Sequence, residues 1–384
     1  MSWNSRERVL ATINHTEPDR VPIDVQTGFV FYQALKDYLG IDIKETLQPS
    51  YFREVIPHPK VVEAMGWDVI SIKLEKPAVE NTLNEVEGDY MIDGWGVGRK
   101  RVYQPGGGFL WEAFEHPLAN ATLDDLDTYP WPVPDKSGVG EATESFAKNI
   151  YENTDLAMIG RFGGTIIEAA IDLMGLENWM VATALNPEFA GALLDKITDV
   201  AIAFDRLGLE SAGKYIQILK VSGDDLGMQT GLLYSPQVIR EIFIPRLARR
   251  WQAARDYIDD SIDETIPLMF HTDGGIRPII PDIINAGIEV LNPIQPNCKG
   301  MDAEELKKDF GKHLVFHGGI DIQYVLPRGS KTEIRSHVHQ QIEALGVGGG
   351  YILSPAHIIQ ADTSPENLVI MTEAAHEYGK YPLV

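Results

Sequence analysis

Three of the ten histidines stand where a strand-like apolar run gives way to small or acidic residues: His271, His317 and His357. Imidazole, with an unperturbed pKa of about 6.5, is the side chain best suited to moving protons or ligating a metal near neutrality. His271-Thr272-Asp273-Gly274-Gly275 sets a carboxylate two residues beyond an imidazole, and His317-Gly318-Gly319-Ile320-Asp321 does so at longer spacing. One such histidine alone is more often a core residue bonded to backbone. Three at corresponding strand ends favour shared chemistry, and the glycines beside two of them are expected to let a ligand approach closely. The other seven, His15, His58, His116, His313, His337, His339 and His376, are expected at the surface.

More polar groups end the neighbouring apolar runs: Asp24 and Gln26, Lys73, Arg161, Ser222 with Asp224 and Asp225, Asn292 and Gln295, and Ser354. The pair Asp224-Asp225 reads as a general base or ligand, with a helix cap or loop anchor as the alternative. Ser222 has no histidine placed locally as its base, so a serine hydrolase is not expected. Gly160-Arg161-Phe162-Gly163-Gly164 lies between a strand and a helix, where a helix N-terminus could receive an anion. It lacks the spacing of a dinucleotide fingerprint. Gly346-Val347-Gly348-Gly349-Gly350 precedes a strand, at the opposite rim, and reads as a turn.

The elements that must position these groups are eight short apolar runs: 21–25, 68–73, 156–161, 215–222, 267–271, 288–292, 314–317 and 351–354. Several are apolar on consecutive residues, as parallel strands buried on both faces should be. Amphipathic helical segments separate them, with start signals at Asn186-Pro187-Glu188, Ser235-Pro236 and Ser364-Pro365-Glu366. Phe189, Leu193, Ile197, Val200, Phe204 and Leu207 make one apolar stripe on the first of these helices. The pattern predicts a single-domain (β/α)8 TIM barrel over 1–384, with all the polar groups at its C-terminal mouth. Ser5 is expected to cap an N-terminal helix lying outside the barrel. Residues 74–155 are too long for one crossover and read as an insertion over one rim. It holds a β-hairpin around Tyr90 to Tyr103, a Gly106-Gly107-Gly108 turn and the non-helical Tyr129-Pro130-Trp131-Pro132-Val133-Pro134. Trp95, Tyr103 and Trp111 in this insertion are expected to shape specificity.

Thirty-three basic against 56 acidic residues give a formal charge of −23, so no nucleic-acid partner is expected. The single cysteine, Cys298, allows neither an intramolecular disulfide nor a thiolate-rich metal cluster. No apolar run approaches the roughly 20 residues of a membrane span, and the N-terminus lacks the apolar core of a signal peptide. These features predict a cytoplasmic, soluble protein.

Taken in order, several stretches resemble the uroporphyrinogen-decarboxylase (URO-D) superfamily, which includes methyltransferases that act with corrinoid proteins or with thiol acceptors such as coenzyme M. The resemblance rests on 5–9, 17–22, Gly223-Asp224-Asp225-Leu226-Gly227, His271-Thr272-Asp273-Gly274, Leu291-Asn292-Pro293-Ile294-Gln295, 317–321 and 351–357. True porphyrin decarboxylases of the family carry an Arg-Gln-Ala-Gly-Arg segment near the N-terminus. Here Asp24-Val25-Gln26-Thr27-Gly28-Phe29 holds no arginine. The resemblance therefore implies the methyltransferase side: transfer of a methyl group between a small O-, N- or S-methylated substrate and a corrinoid protein or thiol.

Family methyltransferases hold zinc with a His-x-Cys motif and a further ligand near the last strand. The matching residues here are His271, Asp273 and His357, histidine and carboxylate being legitimate zinc ligands. Asp273 as an orienting partner of His271 is the alternative. The resemblance further implies that Asp225, Arg161 and His317 orient substrate or move protons, with Asp24, Lys73, Ser222, Asn292 and Gln295 binding substrate. The chain has no Asp-x-His-x-x-Gly corrinoid motif, so a corrinoid would arrive on a partner protein. A homodimer is a further expectation. The alternatives are a decarboxylase of a smaller acid, with Arg161 or Lys73 fixing the carboxylate, and a non-catalytic tetrapyrrole or corrinoid binder.

Overall fold

A computed structural model describes residues 3–43, 54–75, 88–104, 107–134 and 138–383. Seven parallel strands form one curled sheet: Val69–Ile72, Ala157–Gly160, Ile218–Gly223, Leu268–His271, Val290–Ile294, Val315–Ile320 and Tyr351–Pro355, each beside the next in chain order. Consecutive neighbours with helices between them are the barrel order that the alternating runs predict.

The first expected run, 21–25, does not form a regular strand, since Pro22 has no N–H to give to a ladder. It still joins the two edges of the sheet. Asp68 N–H donates to Ile23 O at 2.8 Å, Asp24 N–H to Leu353 O at 3.0 Å, and Leu353 N–H to Pro22 O at 2.9 Å. Ile23 and Leu353 pair in parallel, so the segment runs as an eighth stave would.

The closure is fastened by one buried carboxylate. Asp68 is fully buried and accepts from Arg8 Nη1 at 2.6 Å, Arg20 Nη1 at 2.7 Å, the Ile23 N–H at 2.8 Å and Ser5 Oγ at 2.9 Å. Ser5 is thus not the helix cap. Asn4 caps the helix Ser5–Ile13 in a reciprocal pair with Glu7, which leaves the Ser5 hydroxyl for Asp68. Nor does this helix stand apart from the barrel. Val9 packs into an inner apolar layer with Val69, Ala157, Ile159, Ile218, Met269, Val290, Val315 and Ile352. It plugs the bottom of the barrel.

The remaining core lies between strands and outer helices. Asn186, Ser235 and Ser364 accept from helix backbone as the sequence predicts. The helix begun at Ser235 opens into a wide π turn over Ile239–Phe243, immediately before Pro245. That turn absorbs the donor that proline lacks and its clash with the preceding carbonyl.

Between the strands at 69–72 and 157–160, three antiparallel strands, Tyr90–Ile92, Gly98–Tyr103 and Phe109–Glu115, form a separate sheet where a two-stranded hairpin is expected. The third strand follows from the aromatic alternation of Phe109-Leu110-Trp111, which favours a pleated surface. Trp111 is buried, Trp95 packs edge-on against Trp131, and Tyr103 is exposed. Gly106 of the expected turn lies outside the described residues. Among the described residues no helix is long and apolar enough to cross a membrane.

Removing Asp68 would leave Arg8 with Asp19 alone and the half-buried Arg20 without its carboxylate. Asp68→Ala is expected to destabilise the fold by about 3–5 kcal/mol, read by urea unfolding. A loss within about 0.5 kcal/mol, the range of ordinary surface changes, would remove Asp68 from the closure.

Candidate active site

Strand alternation carries the inner apolar layer directly into a polar one. Two residues beyond each inward apolar side chain stands another inward position. Ser71 and then Lys73 follow Val69, Arg161 follows Ile159, and Lys220 and Ser222 follow Ile218. His271, Asn292, His317 and Ser354 follow Met269, Val290, Val315 and Ile352. Asp24 enters from the segment that closes the barrel.

Four of these residues make a directed hydrogen-bond chain. His317 Nε2 lies 2.9 Å from Asp24 Oδ2. A primary amide nitrogen only donates, so the His317 Nδ1 facing Asn292 Nδ2 accepts and the His317 Nε2 is left to donate to Asp24. Asn292 Nδ2 lies 2.6 Å from that Nδ1, and Asn292 Oδ1 lies 2.6 Å from His271 Nδ1. The amide donates to His317 and accepts from His271. His271 therefore keeps an unprotonated Nε2 facing the mouth.

That nitrogen meets two further side chains. One ligand atom each from His271, Asp273 and His357 lies within 4.8 Å of the others, with His271 Nε2 3.8 Å from Asp273 Oδ1. Asp273 Oδ1 is buried and has no hydrogen-bond partner among the described residues. Burial, with Lys220 and His357 nearby, holds His271 well below the usual imidazole range. Burial lowers His357 as well, against the pull of Asp225. Burial raises Asp273 to about 6. The set is thus two neutral imidazoles and a carboxyl converging on one point.

Behind Asp273 runs a line of acids. The Asp273 N–H donates to Asp225 Oδ1 at 2.9 Å, and the Asp225 N–H donates to Glu168 Oε1. Burial and the Asp273 charge push Asp225 up to about 6. Glu168 rises well above the ordinary carboxyl range through burial beside Asp224 and Asp225. Asp224 accepts from the Ile166 and Ile167 N–H groups at 2.7 and 2.5 Å, and from the Ser222 hydroxyl. The anion expected at this helix N-terminus is supplied by the protein itself. The preceding glycine loop is filled by the buried pair Arg250–Asp205, with the Gly163 N–H donating to Asp205 at 2.8 Å.

On the opposite side, Arg161 and Lys73 grip one carboxylate. Arg161 Nη1 lies 2.5 Å from Glu54 Oε1, and Lys73 Nζ 2.6 Å from Glu54 Oε2. Burial pulls Glu54 upward, but the two cations overcome it and hold the acid well below its usual range. Lys220 stands between this group and His271. Burial, with Arg161 and Lys73 adding repulsion, lowers it to about 7.

The glycines expected to admit a ligand serve the backbone instead. Gly274, at φ 94°, has Gly227 so close that a Cβ would meet it at 2.3 Å. Gly318, at φ 124°, meets Ile294 N in the same way at 2.6 Å. Gln295 accepts from the Gly274 N–H at 2.7 Å and braces that turn. Asp321 accepts from the Gln323 and Tyr324 N–H groups and ends its own loop. His337, expected at the surface, is half-buried against Gly319 O at 3.1 Å.

The raised carboxyls and lowered imidazoles act on stability in opposite senses. Asp225 and Asp273 contribute stability that is full below the unfolded value near about 3.9 and lost as pH rises through about 6. His271 and His357 contribute stability that is full above about 6.5 and lost as pH falls. In an Asp273→Asn variant the neighbouring charge disappears, so Asp225 should titrate nearer the ordinary aspartate range in carboxyl NMR. An Asp225 still titrating at about 6 would assign its shift to burial alone.

A family model described as uroporphyrinogen decarboxylase (URO-D) matches residues 103–378. The uroporphyrinogen decarboxylase of Actinobacillus succinogenes is 22% identical over 279 residues, 70% of this chain and 71% of that one. That of Ruthia magnifica is 22% identical over 203 residues, 51% of each chain, so the chain spans about half its length. A solved methyltransferase from Methanosarcina mazei superposes with a TM-score of 0.68 at 18% identity, covering 98% of this chain and 99% of that one. At that identity the likeness establishes the barrel fold. The family match takes in six of the seven sheet strands, together with Arg161, Lys220, Asp225, His271, Asp273, Asn292, His317 and His357. It leaves out the N-terminal stretches 5–9 and 17–22. By the extent of that match, the chain belongs to the uroporphyrinogen decarboxylase (URO-D) family.

Proposed function

We propose that the chain is a methyltransferase that moves a methyl group between a small O-, N- or S-methylated substrate and a corrinoid protein or thiol acceptor. The observation that carries the reading is the convergence of His271, Asp273 and His357 behind a hydrogen-bond chain that leaves His271 Nε2 free. The donor set fits zinc. Two imidazoles and a carboxylate are ordinary zinc ligands. Asp273 Oδ1 is a buried acceptor without a donor among the described residues. The Asn292–His317–Asp24 chain is the kind of support that fixes a ligating histidine's tautomer. Bound zinc would supply positive charge that keeps an acceptor thiol ionised or polarises a methylated heteroatom.

The other residues divide the work around that centre. Asp225, at about 6, exchanges a proton at its carboxylate, and Glu168, itself raised by burial, accepts from the Asp225 N–H behind it. His317 and Asp24 orient His271 and lie too deep to touch substrate first. The barrel shared with the Methanosarcina mazei methyltransferase accommodates this reading. Against decarboxylation stands Glu54, which already occupies Arg161 and Lys73, the two cations that would fix a substrate carboxylate.

Protein incubated with zinc and desalted should retain about one zinc per chain by elemental analysis, as one such site requires. The paired change His271→Ala and His357→Ala should retain none. Equal zinc in both preparations would contradict the reading. Asn292→Ala, which frees the His271 ring, should weaken zinc binding about 10–100-fold; unchanged affinity would remove the hydrogen-bond chain from the account. Demethylation of methylcobalamin by a small thiol should be accelerated by the zinc-loaded protein and not by the paired variant.

A further inference from the structure

We propose that Lys220 binds an anionic group, carboxylate or phosphate, of the substrate on the inner wall of the mouth beside the His271–Asp273–His357 cluster. The proposal rests on the methyl-transfer reading for the identity of the site and adds the charge of what enters it.

Lys220 occupies the strand Ile218–Gly223, two residues beyond the inward-facing Ile218, and so stands inside the mouth. The strand on one side ends at Arg161 and the strand on the other at His271. Its reach toward the cluster is fixed by Gly223. A Cβ placed there would lie 3.7 Å from Lys220 Cε, 3.8 Å from Lys220 Nζ and 3.7 Å from His271 Cδ2. The ammonium and the imidazole therefore flank the same small spot, which the glycine keeps clear of any side chain.

Charge accounting then separates Lys220 from its neighbours. Arg161 and Lys73 both bond Glu54 at 2.5 and 2.6 Å. Among the described residues Lys220 makes no hydrogen bond and no ion pair. Burial lowers the Lys220 amine, and its counter-charges, Glu54 and Asp273, attract it without a hydrogen bond, so its charge is incompletely compensated. Its charge helps keep His271 neutral and Asp273 ionised but would repel a bound metal ion, so ligand preparation alone does not account for it. A ligand bearing negative charge resolves both difficulties. One end meets Lys220 and the rest lies over Gly223 against His271. One unbonded ammonium suits a substrate with a single anionic group, unlike a polycarboxylate that would need several free cations.

Calorimetry on the zinc-treated full chain tests this with benzoate, inorganic phosphate and the neutral analogue benzamide. Saturable binding of benzoate or phosphate, and none of benzamide, is expected; which anion binds identifies the group. Lys220→Met should weaken that binding by more than about tenfold, as losing one partner of a desolvated charge pair does. The bound anion should also shield Lys220 of the unaltered protein from an amine-acylating reagent, read by mass spectrometry, while surface lysines react as before. Absence of saturable anion binding, equal binding by Lys220→Met, or no shielding of Lys220 would overturn the proposal. Zinc measured in the same samples keeps the two readings apart. Lys220-dependent anion binding without retained zinc would support this proposal and contradict the metal reading.

Discussion

Everything in the mouth depends on how the barrel is closed. Seven strands hydrogen-bond in sequence, but the last gap is spanned by 21–25, a segment with a proline and only scattered backbone bonds. Asp68 compensates by gathering Arg8, Arg20, Ser5 and the Ile23 N–H around one buried carboxylate. The same segment delivers Asp24 to His317. An interaction at the bottom of the barrel thus sets the orientation of His271 at its top, through His317 and Asn292. Removing the clamp would loosen a site it never touches.

The interior is built in layers whose chemistry changes abruptly. Below, Val9 and the inward aliphatic residues make a dry plug. One strand repeat higher, almost every inward residue is polar, and the charges are sorted by side. Lys73, Arg161 and Lys220 stand with Glu54 on one wall, while Asp273, Asp225, Asp224 and Glu168 form a line on another. The imidazoles of His271 and His357 lie between them, kept neutral by burial. Such sorting raises the carboxyls, lowers the amine and leaves the lone pair of His271 available. A site arranged this way favours positive charge at the triad and negative charge beside Lys220.

Much of this arrangement was legible in the residues. The apolar runs located the strands to within a few positions, because buried parallel strands show themselves as consecutive aliphatics. His271, Asp273 and His357 were marked by their places at strand ends, and they do converge. Lys220 interrupts an apolar run, and only strand alternation from Ile218 marks it as inward. Glu168 sits in the first turn of its helix, where the helix dipole suffices to explain an acid. Glu54 gave no local signal at all, since its meaning comes from Arg161 and Lys73, distant in sequence. Without it, both cations read as available for substrate. The glycines beside His271 and His317 misled for a similar reason. Their crowding comes from Gly227 and Ile294, on other segments, and not from a ligand.

The central claim is that His271, Asp273 and His357 together form one zinc centre with nitrogen and oxygen donors. X-ray absorption at the zinc edge of the loaded protein tests it directly. The account predicts a first shell of nitrogen and oxygen at about 2.0–2.2 Å with two imidazole ring signatures and no sulfur. A sulfur scatterer at about 2.3 Å, which would implicate Cys298, or a shell without imidazole would contradict it.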